Sequence, residues 1–569
     1  MRRWLFLVAA FLLTAAASPK PAAFELIVNP RWNEAGAYTA LDVTVRFDGE
    51  ADGETEIVLP DEWGGQDKLY LAVRDLTLEN GTLSETRAPH LRLARHAPGA
   101  RLSLTYRIVE DAAGPPPKEA GGNDYRPMLR AKFFHVLGNT IVVRPARLDA
   151  KSPAVFNIGA MPAGATFASD LQHADMGRAL DFNDIMESIL VGGDFRIIDA
   201  GGGMRLAMRG AYTRSDESWR LGFERIARAV LGYWRAQSEP YLVTIVPVEG
   251  LPPGSISIGG TGRSDAFAFF ASPGSADEMI DRVMTHEMIH SWIPRRIGAM
   301  PMEQEQLNYW LSEGFTDWAT LRIMARTEGV SVSRVVDVFN EWLHDYESSS
   351  VRAAPNAEIL AKFWSDNRVQ QLPYRRGMLF AHYLDHRVRA ATHGAKDFDD
   401  VLYWMQARAA RSGPDMTAAK LLPQAMRAVA RIDIRADLDR FIEKGEPIVL
   451  PPDIFPACGT VTEVKRQPFH RGFDIEATQK NNDVIAGVRV DGPAYRAGMR
   501  DGMVLLRRSG GEIGNPDLEI AYDVMDGQTP RTLRYMPRGE GEERFRRLAL
   551  RANFSEEDAA ACRRQFAGN

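Results

Sequence analysis

Cysteine is nearly absent from this 569-residue chain: only Cys458 and Cys562 occur, so at most one disulfide is available. No stretch after the first twenty residues is long and apolar enough to cross a bilayer. No run of basic residues occurs, and 69 Lys and Arg face 75 Asp and Glu, which excludes a general nucleic-acid binder. No repeat of 20–50 residues is visible, which excludes a solenoid or propeller. Apolar, charged and aromatic contents of 45%, 25% and 9% are those of a globular protein, and the length calls for several cores rather than one.

The N-terminus reads as an address. Arg2 and Arg3 precede an apolar run from Trp4 to Leu13, followed by Thr14-Ala15-Ala16-Ala17-Ser18. A charged start, a short apolar centre and small residues are the parts of a secretory leader, here residues 1–17. Removing it leaves 67 basic against 75 acidic residues, a balance of −8. No cysteine follows the apolar run, so a lipid anchor is not indicated, and a periplasmic or secreted location is expected. There, Cys458 and Cys562 can form a bridge across the ends of the last segment.

Four regions follow. Residues 24–175 alternate polar and apolar in short runs such as Tyr38–Phe47 and Leu102–Val109, and are expected to be β-rich. Residues 176–329 mix strands (Phe195–Ile198, Met204–Met208, Tyr241–Val248, Ala266–Phe270) with a helix over Ser215–Arg235. The run Gly259-Gly260-Thr261-Gly262 reads as a flexible loop. Residues 330–450 read as helices, one of them spanning Tyr374–Ala391. After Pro451-Pro452 and Pro456, residues 456–569 return to short strands, with candidates at Gly472–Glu476, Val484–Val490 and Gly502–Leu506. A helix-like insert, Pro493–Met499, lies between two of these.

His286-Glu287-Met288-Ile289-His290 carries the chemistry. It falls on a helix that Ser275-Ala276-Asp277-Glu278 opens as a capping box and Pro294 ends. Two imidazoles one turn apart share a face and can reach one zinc ion. Glu287 stands where it can accept a proton from a water at the open metal position. A catalytic zinc needs a third protein ligand, and Glu313 in Trp310-Leu311-Ser312-Glu313-Gly314-Phe315 offers one from a second helix, Leu307–Arg326. Gly314 signals close approach of another backbone. Asp317, one turn later, can accept a hydrogen bond from the non-metal nitrogen of His286. His382 and His386 repeat the spacing without the glutamate or a third ligand, and read as one face of a helix. Spacing alone gives Tyr374 little weight as a site residue.

Together these residues resemble the glycyl aminopeptidase family of zinc metallopeptidases, gluzincins with a C-terminal PDZ domain that are relatives of the membrane alanyl aminopeptidases. The resemblance rests on His286-Glu287-Met288-Ile289-His290-Ser291-Trp292, on Trp310–Thr316 and on Pro373-Tyr374-Arg375-Arg376-Gly377, and on the order of the four regions. It implies a multidomain α+β fold, with a β-rich N-terminal domain, a thermolysin-like catalytic domain, a helical domain and a PDZ-like domain. It implies His286, His290 and Glu313 as ligands of one Zn²⁺, Glu287 as general base and Tyr374 as the oxyanion donor. Peptides would be the substrates, and the PDZ-like segment would either bind a peptide C-terminus or serve as a packing module. Gly259, Gly260 and Thr261 would line the substrate backbone. In such aminopeptidases a glutamate in this glycine-rich segment holds the substrate amine. Here none is present; Arg263 would repel an ammonium, and Asp265 could replace the glutamate only through a register shift. Three readings therefore stay open: an aminopeptidase, an endopeptidase or restricted peptidase, and a non-enzymatic peptide-binding protein.

Overall fold

A computed structural model of the chain describes residues 22–111, 125–237, 239–248, 251, 256–301, 303–413 and 416–568. The expected leader, 1–17, and the Gly114–Pro117 loop lie outside the described residues.

The N-terminal region is built from three sheets, one of six strands and two of four. In the largest, Phe24–Trp32 pairs antiparallel with Tyr38–Asp48. Phe24, Leu26 and Val28 face inward opposite Phe47, Val45 and Val43, and all six are fully buried. The period-two pattern is thus the pleat of a sheet with one face on the core. Strand Ile189–Gly193 pairs with Phe133–Leu137, so these sheets continue past residue 175.

A five-stranded sheet follows, made of β1 (Arg196–Asp199), β2 (Met204–Met208), β3 (Tyr241–Pro247), β4 (Ile258–Gly262) and β5 (Ala266–Ala271), in the order β1-β2-β3-β5-β4. The central strands β3 and β5 are buried throughout, as their nearly continuous apolar sequences require. Helix α1 (Asp216–Tyr233), capped by Ser215, makes the crossover between the parallel strands β2 and β3. The glycine run expected as a loop is the edge strand β4, antiparallel to β5. Glycine is a poor strand former in isolation, but pairing with β5 supplies the ladder.

Helix α2 (Asp277–Ile289) packs on β4 and β5, α3 (Tyr309–Arg326) packs on α2, and α4 (Val332–Ser348) and α5 (Asn367–Ala391) pack on α3. Ser275 does not cap α2: the capping position is Ala276, without a side-chain bond, because Ser275 is drawn into a turn on Ser272. Asp277 and Glu278 still place negative charge at the helix start. Helix α5 begins seven residues before Tyr374, at the Asp366 cap, and carries Pro373 inside it. Helices α3 and α5 touch through backbone. A Cβ added at Gly314 would lie 2.3 Å from Gly377 Cα, and one at Gly377 only 1.8 Å from the Trp310 carbonyl oxygen.

One apolar core runs from Ala200 through these helices to Phe566. A two-stranded ribbon, Gly459–Arg466 with Glu543–Leu550, docks on α4, where the Asn340 side chain bonds both the amide (2.7 Å) and the carbonyl (3.1 Å) of Leu548. Between the ribbon strands, residues 467–542 form a small unit with its own core around Phe473, Ile485, Met499, Val524 and Leu533. Its sheet comprises Val504–Gly510, Ile520–Asp526 and Thr529–Tyr535. The strand expected at Gly472–Glu476 is instead followed into helix Ile475–Lys480, because the Asp474 side chain caps the Ala477 amide at 2.9 Å. Val484–Val490 contributes only isolated pairings, Val484 with Val504 and Ala486 with Asp474. Helix α6 (Glu556–Ala567) returns to the main body, and the buried disulfide Cys458–Cys562 fastens it there. Among the described residues, no helix is long and apolar enough to cross a membrane.

Candidate active site

Helix α2 buries Ile280, Met284, Met288 and Ile289, which fixes its rotation and brings His286 and His290 to one side. The two rings are 4.9 Å apart and nearly perpendicular. Glu313, on the buried helix α3, places one carboxylate oxygen 3.3 Å from His286 Nε2 and 3.4 Å from His290 Nε2. The three ligand atoms lie within 4.8 Å of one another.

The other ring nitrogens are occupied. His286 Nδ1 bonds Asp317 at 2.9 Å, and His290 Nδ1 bonds the Ile293 carbonyl at 3.0 Å. Nδ1–H in both rings leaves both Nε2 lone pairs aimed at a common point. Burial opposes protonation of His286, yet its bonds to Asp317 and Glu313 push it up to about 10. His290 is raised against burial by the Glu313 charge, and Glu313, despite burial, is held well below the usual carboxylate range by the two imidazoles. A pocket that raises the proton affinity of two buried histidines around a carboxylate is one that a divalent cation fits. Two imidazole nitrogens and one carboxylate oxygen are the donor set of a catalytic zinc site with a free position.

Glu287 lies beside this point. Burial raises its carboxyl, while His290 and His286 lower it and the Gly262 amide donates to it. The approach of β4 needs glycine: a Cβ at Gly262 would stand 3.1 Å from the Glu287 carboxylate and 3.2 Å from His290 Cβ. Tyr374, in the second turn of α5 rather than at its start, stacks against His286 with ring centres 6.0 Å apart. Burial, then Glu313 and Glu287, hold its hydroxyl in the protonated form.

Arg375 is the functional neighbour that sequence reading left without a role. It bonds the second oxygen of Asp317 at 2.7 Å, reaches Asp345 at 3.3 Å and lies 5.0 Å over the Trp342 ring. Asp317 is thereby clamped between an imidazole and a guanidinium. The only signal for this in the sequence is adjacency to Tyr374.

Gly259, Gly260 and Thr261 lie on β4 opposite Phe270, Phe269 and Ala268. The expectation for Arg263 is overturned: it is fully buried and donates to the carbonyls of Met186 (2.7 Å) and Glu187 (3.0 Å) and to Asn139 (3.0 Å). Its guanidinium, 4.7 Å over the Trp63 ring, serves the N-terminal sheets and does not face a substrate. Asp265 is paired with Arg178, so it is no substitute amine anchor. His382 is buried among Trp318, Phe339 and Phe455, away from any metal-type cluster among the described residues.

No family model and no curated protein matches the sequence. Solved structures do. The chain shares its fold with an aminopeptidase N family protein from Idiomarina loihiensis. The TM-score is 0.64 over 95% of this chain and 100% of that one, at 12% identity, a likeness of fold. An M1 zinc metallopeptidase from Deinococcus radiodurans aligns with 75% of the chain and 95% of its own at 16% identity and a TM-score of 0.48. Native yeast LTA4 hydrolase gives 14% identity and 0.45, over 75% of this chain and 69% of its own.

Proposed function

We propose that the protein is a zinc-dependent peptidase of extended peptides, exported from the cytoplasm. One observation carries the reading: His286, His290 and Glu313 converge from two helices with Glu287 at their side. His286, His290 and Glu313 would hold the ion, and bound zinc supplies Lewis acidity to a water and to the scissile carbonyl. Glu287 takes the proton of the attacking water and returns it to the leaving amine. Its raised affinity for a proton, from burial, suits that shuttle. Tyr374, kept protonated by burial and then by the surrounding carboxylates, donates to the oxyanion. Asp317 and Arg375 hold the His286 ring in the tautomer that presents Nε2. The leader-like start of the sequence and the Cys458–Cys562 bridge together support an oxidising compartment.

The test is Glu287→Gln. The variant is expected to keep one zinc per chain and to lose about 10²–10⁴-fold in kcat on any cleaved peptide. Full retention of hydrolysis with zinc bound would remove Glu287 from the mechanism.

A further inference from the structure

The small unit of residues 467–542 carries a cleft of about 650 Å³, within the range of ligand pockets. Three segments form it. One is the chain leaving the ribbon, Gln467–His470; another is Arg489–Ala497, with its short helix Pro493–Arg496; the third is Arg534–Glu540, the end of the last sheet strand and the turn after it. Backbone bonds fix these walls. The His470 amide donates to the Pro537 carbonyl at 2.8 Å, the Gly539 amide to Pro468 at 2.7 Å, and the Arg489 amide to Gly472 at 2.9 Å.

Cationic groups dominate the lining. Arg489, Arg496, Arg534 and Arg538 line it against two carboxylates, Asp491 and Glu540, although the unit as a whole has ten Lys and Arg against twelve Asp and Glu. His470 adds a donor: its Nδ1 accepts from the Gly472 amide at 2.8 Å, so the neutral ring carries its proton on Nε2. The arginines are weakly engaged. Arg489 holds Glu540 at 2.7 Å, Arg538 holds Asp517 at 3.2 Å, and Arg534 reaches Glu519 only at 3.7 Å; all six side chains are 44–82% exposed. Among the described residues Arg496 has no carboxylate in ion-pair contact, and it donates to the Asp491 carbonyl. Exposed pairs of this kind contribute little, so a ligand's carboxylates can replace them. The guanidinium fork takes a carboxylate through two parallel bonds.

Four guanidiniums from two segments match several carboxylates on one chain better than they match one small anion. In an extended peptide, alternate side chains share a face at a repeat of roughly 7 Å, so alternating acidic residues present successive carboxylates to successive arginines. Nucleic acid is a poorer match. Apart from the His470 imidazole, Tyr535 is the one aromatic ring among the described residues of the lining, and at 6% exposure it offers successive bases no stacking platform. We propose that this cleft is a second, non-catalytic site that binds acidic stretches of polypeptide through their side-chain carboxylates.

The experiment uses the zinc-loaded full chain and an octapeptide alternating Glu and Ser, fluorescein-labelled at its N-terminus and amidated at its C-terminus. The corresponding Gln and Ser peptide is the control. Initial fluorescence anisotropy is expected to show at least about tenfold tighter binding of the acidic peptide at low salt, with the preference shrinking as salt rises. Arg496→Gln combined with Arg534→Gln is expected to cut the preference to below about threefold, with zinc content unchanged. Glu540→Gln, which frees Arg489, is expected to tighten the acidic peptide by about two- to fivefold, and serves if the double variant unfolds. Equal binding of both peptides, an unchanged preference in the folded double variant, or no gain in Glu540→Gln would overturn the proposal. So would binding that requires a free C-terminal carboxylate, or tighter binding of a single-stranded oligonucleotide or of tripolyphosphate than of the acidic peptide. Hydrolysis is measured separately. Cleavage of neutral tri-alanine without the binding preference would remove the cleft and keep the hydrolase; the preference without cleavage of any peptide would do the reverse.

Discussion

The surroundings of His286 and His290 and those of His382 and His386 start from the same spacing, two imidazoles one helical turn apart. They differ in what the second nitrogen finds. At His286 and His290 the Nδ1 atoms meet Asp317 and the Ile293 carbonyl, and a carboxylate closes on both Nε2 atoms. At His382 three aromatic side chains surround the ring, Nε2 has no partner, and burial followed by the nearby Arg322 depresses its basicity far below the ordinary value. Spacing brings histidines together; acceptors behind the rings and a carboxylate in front make the pair a candidate cation site.

The contrast can be broken most sharply at His290. His290→Ala is expected to bring zinc from one equivalent to near zero by elemental analysis, and peptide hydrolysis to background. Tyr374→Phe should keep the metal and lower kcat by about 10²–10³ with little change in KM, measured at saturating peptide. Removing the acceptor behind a ring is milder: Asp317→Asn should weaken zinc affinity by roughly 10–100-fold in a chelator competition. The smallest effect belongs to the other pair. His382→Leu should leave zinc content and kcat unchanged and alter stability by less than about 1.5 kcal/mol in denaturant unfolding. It should also reduce acid sensitivity. Folding holds His382 neutral, whereas an unfolded histidine takes up a proton near pH 6.5. Its stability contribution is therefore complete above that pH and is lost as pH falls. The drop in Tm between pH 7 and pH 5 should be shallower in the variant.

Much of the candidate metal site is legible because helix geometry is local. His286, Glu287 and His290 lie within five residues, and Glu313 and Asp317 are one turn apart on a helix whose apolar neighbours announce its burial. The strands β2, β3 and β5 and the helix α1 are legible for the same reason. What escapes is decided by distant partners. Arg375 meets Asp317 from 58 residues away. The glycine run becomes strand β4 only because β5 lies beside it, and Arg263 turns inward only because Met186, Glu187 and Asn139 await it. Pro373 looks like a helix start because proline suits a first turn, but Asp366 caps the helix earlier. At Asp474 a side-chain cap on Ala477 outweighs a weak alternation.

Helix α6 packs against the helix that bears Glu313. Arg322 of α3 donates to the carbonyls of Gln565 and Phe566, and Arg563 donates back to Ala325 at 2.9 Å. Arg322 and Phe566 are 244 residues apart. The proposed third ligand therefore sits on an element whose final support comes from the far end of the sequence, so the candidate cation pocket is complete only once those distal residues have docked.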